Sequence, residues 1–317
     1  VAFLIQNIIY GLALGSMYAL VALGYTMVYG VLKFINFAHG DVVMVGAFMG
    51  YLANLLATRL FGFETTGTGP LLFAFAFSMI SCGILGFVIE RFAYRPLRKS
   101  PRLTALITAI GISLLLENLA QLDLRSVAGE GFLAWWPFSP IPRAFPAFVE
   151  QRALIDIGGV QISNLSVMTL LLSGSLMGGL YFIVFRTKLG RALRAVSHNP
   201  DVASLLGIPV DRVISATFVL GSVLASAAGM QYGLTYSKID PLMGVLLGLK
   251  AFVAAVLGGI GSIPGAVVGG LILGLSEQLV VASGASTYRD ALAFSILVGV
   301  LLFRPSGILG KFQPEKV

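Results

Sequence analysis

The chain has 317 residues, of which 57% are hydrophobic and only 11% charged, and its mean hydropathy is +0.92. A water-facing globule carries roughly a quarter charged residues, so this composition excludes a soluble enzyme and indicates a membrane protein with about eight to ten spans. The 21 Lys and Arg against 14 Asp and Glu leave a net charge of +7, which in such a chain reads first as a topology signal rather than as affinity for nucleic acid.

The first apolar run, Ala2 to Val31, would rise about 43 Å as one helix, more than a bilayer core needs. It is expected to tilt, project or break, and Gly11, Gly15, Gly24 and Gly30 supply places to do so. It is too long, and too polar around Gln6 and Asn7, for a signal peptide. A polar step, Lys33 to Asp41, follows. Within it, the run Asn36-Phe37-Ala38-His39-Gly40-Asp41 reads in two ways: a hydrogen-bonded helix cap, or a gate or pathway element at a cytoplasmic mouth.

Further apolar runs lie at 42–58, 70–90, 103–122, 165–185, 213–234, 242–259, 263–282 and 288–303, making about nine crossings or partial crossings in an all-α, polytopic transmembrane bundle. The single cysteine, Cys82, sits inside one run as a small buried residue and excludes an internal disulfide. The run 242–259 is short, contains Lys250, and is bounded by Pro241 and by Gly258, Gly259, Gly261 and Pro264, as a half-span or re-entrant helix would be. Alternation between the charged connections instead favours a full crossing there.

Those connections set the orientation. Residues 91–102, residues 186–212 and the tail hold 13 of the 21 basic residues, which assigns all three to the cytoplasm. The connection 123–164 has Arg125, Arg143 and Arg152 against Asp123, Glu130, Glu150 and Asp156, and is expected outside, with Trp135 and Trp136 as interface anchors. The N-terminus is then external and the C-terminus cytoplasmic.

No phosphate-binding loop, HExxH pair or paired cysteines occur, and two histidines, His39 and His198, are too few for a histidine metal site. No enzymatic role, cofactor or metal is expected. Glu117, Lys250 and Glu277 fall inside apolar runs, each within a turn or two of an end, so each reads equally as a snorkelling or interface group and as a transport group.

The cytoplasmic segment from Thr187 to Arg212 reads as two short helices. Asn199-Pro200 starts the second, with Asp201 in its first turn and Gly207 ending it, and Val202, Ala203, Leu205 and Leu206 give it an apolar face that needs a docking surface. Farther on, Gly261, Gly265 and Gly269, and again Gly270 and Gly274, recur every four residues and flatten a helix for close packing.

The runs GVLKFINFAHG (Gly30 to Gly40), ERFAYRPLR (Glu90 to Arg98), GRALR (Gly190 to Arg194), ASLLGI (Ala203 to Ile208) and KAFVAAVLGGIGSIPGAVVGGLILG (Lys250 to Gly274) closely resemble the LivH-type permease of the bacterial branched-chain amino-acid ABC transporter. The resemblance runs to Pro305-Ser306-Gly307-Ile308-Leu309-Gly310 and is thinnest across 123–164. It implies a single transmembrane permease domain over 1–317 in the bacterial inner membrane, paired with a second related permease. Two cytoplasmic ATPase subunits would bind below, and a periplasmic binding protein would deliver leucine, isoleucine or valine.

By analogy with this transporter class, Asp201, Ala203, Leu205, Leu206, Gly207 and Ile208 are expected to form the helix that docks on an ATPase subunit. Helix ends and backbone groups are expected to meet the zwitterionic cargo, with Ser16, Tyr18, Asn36, Gly258, Gly259, Gly261 and Pro264 as candidate lining. Urea, short amides or other amino acids are alternative cargoes, and a stand-alone channel or ion-coupled carrier is the alternative class.

Overall fold

The computed structural model describes residues 2–62, 64–98, 100–124, 135–157 and 159–310. Lys99, Arg125, Glu130, Lys311 and Lys316 of the charged connections and tail lie outside these ranges. Most of the described residues are helical. The long helices are α1 (Ala2–Leu32), α2 (His39–Phe61), α3 (Thr68–Ile89) and α4 (Arg102–Ala120). After a connection come α5 (Asn164–Arg186), the short α6 (Lys188–His198) and α7 (Pro200–Leu205), then α8 (Val210–Tyr236), α9 (Met243–Gly258), α10 (Ile263–Ala282) and α11 (Arg289–Phe303). Two small antiparallel pairs join β1 (Arg143–Ala144) to β4 (Lys238–Ile239) and β2 (Ala153–Ile157) to β3 (Val160–Ser163).

Each apolar run of the sequence coincides with a helix. Among the described residues eight helices are long and apolar enough to cross a membrane, and α9, with 16 residues, is the shorter ninth. A 16-residue helix rises about 24 Å, less than a bilayer core. The first run does not break: α1 is one helix of 31 residues.

The chain packs as two compact units drawn from interleaved stretches. One comprises Val1–Lys33, Arg152–Val210 and Leu249–Val317, the other Phe34–Gln151 and Asp211–Gly248. In the first unit, α10 carries two glycine stripes rather than one. A Cβ on Gly270 would stand 2.6 Å from the Ala19 nitrogen, and one on Gly15 2.8 Å from the Gly270 carbonyl oxygen, so α1 and α10 meet backbone to backbone. Gly265 and Gly269 instead face α9, where a Cβ would strike the Gly258 and Ala254 carbonyl groups. The α9–α10 hairpin turns through Gly259 and Gly261, with φ of 104° and 94°, a region only glycine enters without strain. Ser262 then caps α10, its hydroxyl accepting from the Gly265 N–H at 3.2 Å, with Pro264 in the first turn.

In the second unit, Ser78 on α3 donates to the Gly46 carbonyl at 2.6 Å and meets the Ser226 hydroxyl at 2.6 Å, tying α2, α3 and α8 together. Part of the connection after α4 folds back onto these helices. Phe138 packs on Phe48 with ring centroids 5.2 Å apart, the Arg143 guanidinium lies over Tyr51, and Phe145 covers Gly233. Cys82 is buried.

One backbone conformation occurs twice. After α1, Lys33 has φ of 58°; after α8, Ser237 has φ of 53°; they are the non-glycine residues with positive φ among those described. Non-helical residues follow, then the same turn: the His39 N–H donates to the Asn36 carbonyl and the Asp41 N–H to Ala38, as the Met243 N–H donates to Asp240 and the Val245 N–H to Leu242. The break between α1 and α2 thus recurs between α8 and α9. At the two breaks Gly40 and Gly244 touch reciprocally: a Cβ on the first would stand 2.5 Å from the second's carbonyl oxygen, and the reverse distance is 2.7 Å.

Candidate functional site

The two short helices of the basic connection are held and presented differently. Thr187 caps α6, its hydroxyl accepting from the Gly190 N–H at 3.2 Å, and Gly190 packs so closely on the Ile183 and Val184 carbonyls that no side chain fits. Leu193 and Val196 are buried, Arg194 donates to the Val184 carbonyl, and Ser197 donates to the Gly30 carbonyl at 2.6 Å. This apolar and hydrogen-bonded seam fixes α6 to the ends of α5 and α1.

Helix α7 starts where the sequence places it. The Asn199 side chain accepts from the Asp201 and Val202 N–H groups at 3.0 Å, Pro200 occupies the first helical position, and Gly207 turns out of the helix with φ of 79°. Ala203 is buried and accepts from the Ile208 N–H at 3.1 Å, which anchors the inner side. The outer side is bare: Leu205 and Leu206 are 85% and 75% exposed and Val202 is half exposed, with Asp201 beside them. Val202, Leu205 and Leu206 form an exposed apolar patch at the tip of this helix.

The candidate path residues fall into both units. In the first, Ser16 is buried and donates to the Ala13 carbonyl at 2.7 Å within α1. Tyr18 donates to Glu277 at 3.0 Å. The Gly258–Pro264 segment is the α9–α10 hairpin, and its end carbonyls already have partners: the Ile308 N–H reaches Leu257 and the Leu309 N–H reaches Gly258, both at 2.9 Å. In the second unit, Asn36 is buried and accepts from the Tyr94 hydroxyl at 2.7 Å. The N-cap of α2 is Ala38, which makes no side-chain cap hydrogen bond, while Asp41 stands in the first turn of that helix as the cap reading placed it.

The structure adds ionisable clusters whose assembly the sequence did not show. In the first unit, Glu277 is fully buried on α10. Its carboxylate takes the Lys250 ammonium at 3.0 Å, the Arg289 guanidinium at 2.9 Å and the Tyr18 hydroxyl, while Lys250 also reaches Asp290 at 2.7 Å. Two cations and two carboxylates balance there, joining α1, α9, α10 and α11. In the second unit, Glu90 is buried against Arg98 and Ser215, and Asp211 holds Arg95 and Arg98, locking the end of α3 to the start of α8. Asp41 is also buried in this unit and takes the Ser113 hydroxyl of α4; Glu117, one turn on, lies 3.4 Å from that same hydroxyl.

Residues 7–302 match the family model described as branched-chain amino acid transport system / permease component. The chain belongs to this family. It is 43% identical to the high-affinity branched-chain amino acid transport system permease protein BraD of Pseudomonas aeruginosa, over 99% of this chain and 98% of BraD. It is 42% identical to the corresponding LivH of Escherichia coli K12 over the same shares. A probable branched-chain amino acid transport permease protein LivH of Methanocaldococcus jannaschii is 29% identical over 93% of this chain and 89% of that one. Membership and the apolar helices together make this a multi-pass membrane permease. The resemblance carried by the five quoted runs is therefore a family relation extending over nearly the whole chain.

Proposed function

We propose that this permease is the membrane-spanning subunit of an ATP-driven importer that carries leucine, isoleucine and valine into the cytoplasm. The observation that carries the reading is the 43% identity over 99% of the chain to a high-affinity branched-chain amino acid permease. A second, related permease completes the transmembrane part. A periplasmic binding protein delivers the cargo, and the subunit sits in a bacterial inner membrane with its C-terminus in the cytoplasm.

Energy enters through α7. Two partner ATPases hydrolyse ATP, and one receives Leu205, Leu206 and Val202 in a groove, a role that the bare apolar tip on a tightly seated α6 supports. ATPase closure moves that tip, and motion passes through the α5–α6 seam to packed helices, which shift as rigid bodies. The cargo's charges are met near helix ends and its apolar side chain by the bundle. The earlier lining candidates Ser16, Tyr18, Asn36, Gly258, Gly259, Gly261 and Pro264 are kept here as positions that shape this path.

The test is uptake by proteoliposomes containing the complete complex, with and without ATP, offered leucine, isoleucine, valine, alanine and urea. ATP-dependent accumulation of the three branched-chain amino acids is expected; uptake by this subunit alone, or selective uptake of urea, would overturn the reading.

A further inference from the structure

We propose that Asp41, Ser113 and Glu117 form a subsite for the ammonium group of the transported amino acid, an assignment that rests on the import reading above. Asp41 stands in the first turn of α2 and is 1% exposed. One of its carboxylate oxygens takes the Ser113 hydroxyl, while the other, Oδ1, is buried with no hydrogen-bond partner. A serine has one proton to donate, so Ser113 serves one carboxylate and leaves the second, Glu117 at 3.4 Å from the same oxygen, without it. Among the described residues no lysine or arginine forms a salt bridge with either acid, whereas Glu90 and Glu277 each have a cation.

An unpaired carboxylate in an apolar interior is costly, and two around one hydroxyl are more so. The arrangement favours an arriving monovalent cation. A primary ammonium suits it: three N–H donors in one compact charge can meet Asp41 Oδ1 and the Glu117 carboxylate together. Access is provided on α4, where Ser113 and Glu117 lie four residues apart on a leucine- and isoleucine-rich helix and Gln121, the residue that follows its last turn, continues the same spacing. Ser113 and Glu117 are half-exposed, while Asp41 is sealed behind them. Such a polar row does not face lipid. It lines the wet route, with Asp41 as its buried end. Gly244 closes the far side: a Cβ there would stand 3.0 Å from Asp41 Oδ1, so the second helix break leaves that oxygen its space.

An alkali cation offers the same charge, and the experiment separates the two sources. The complete transporter is reconstituted with Cys82 replaced by alanine, and Ser113→Cys is labelled during ATP turnover with cationic and anionic methanethiosulfonates. The cationic reagent is expected to react at least 10-fold faster, binding protein loaded with leucine to slow it, and Asp41→Asn to abolish the preference. In the native background Asp41→Asn and Glu117→Gln are each expected to lower leucine uptake at least 10-fold while binding-protein-stimulated ATPase activity persists. ATP-driven leucine uptake by the unaltered complex checks the import reading separately. With that uptake present, equal labelling by both reagents or unchanged uptake in both variants overturns the subsite, as does a requirement for sodium when choline replaces it.

Discussion

Around Glu277 one carboxylate gathers a lysine, an arginine and a tyrosine hydroxyl, with Asp290 balancing the second cation; around Asp41 two carboxylates stand about one serine hydroxyl, which serves only the first. Both lie in helices that are apolar in bulk, and a buried charge in either place has to be compensated. The Glu277 carboxylate has two cations within its own unit, with the Lys250 ammonium 3.0 Å from its Oε1, which suits a pin that holds four helices together. The Asp41 cluster lacks its counter-charge, which suits a place that something charged visits. Burial alone does not separate the two, since Asp41 and Glu277 are both nearly inaccessible. The inventory of partners does.

The sharpest way to break this contrast is to remove one charge from each cluster and compare the thermal unfolding of the purified complex. Glu277→Gln leaves Lys250 and Arg289 facing a neutral amide, and loss of one partner from a buried pair costs about 3 to 5 kcal/mol. A large fall in melting temperature, or no assembled complex, is expected. Asp41→Asn removes an uncompensated charge and keeps the shape, so its melting temperature is expected to stay level or rise. A fall as deep as that of Glu277→Gln would show that the Asp41 carboxylate is structural.

Next in size are the glycine contacts. At Gly270 an alanine methyl would stand 2.6 to 2.8 Å from the Ala19 backbone and Cβ, and at Gly40 it would stand 2.5 Å from the Gly244 carbonyl oxygen. Overpacking of this kind typically costs about 1 to 3 kcal/mol. Gly270→Ala is expected to lower the melting temperature and little else. Gly40→Ala presses on the turn that carries Asp41, so it is expected to lower leucine uptake beyond what its melting shift explains. Equal uptake from both variants at matched stability would remove the functional distinction between the two contacts.

What the sequence revealed follows the same division. Apolar runs, glycine spacing and the Asn199-Pro200 start of α7 are local signals, and the helices appear where those signals stand. The ion clusters are not local: Lys250 and Glu277 are 27 residues apart, Asp41 and Ser113 are 72 apart, and each acid read singly looks like an end-of-helix group. The repeated break was hidden for another reason. Lys33 to Gly40 and Ser237 to Gly244 share only Ile35 with Ile239 and Gly40 with Gly244, because a left-handed residue and an extended stretch constrain the backbone without dictating most side chains. Gly40 and Gly244 match because their backbones touch.

The smallest expected change in stability is at Leu205, and it sharpens the comparison from outside both clusters. The side chain is 85% exposed and lies beyond the buried seam of α6, so Leu205→Asp is expected to shift stability by no more than about 0.5 kcal/mol. A carboxylate in an apolar groove would nevertheless be desolvated without a partner and would push the ATPase away. The variant is therefore expected to melt like the unaltered permease yet fail to retain ATPase on purification and to lose ATP-driven uptake. Asp41→Asn should do the reverse and keep its ATPase while losing uptake. If Leu205→Asp retains both ATPase binding and transport, the apolar tip of α7 is not where energy enters, and the docking surface has to be sought elsewhere on the basic connections.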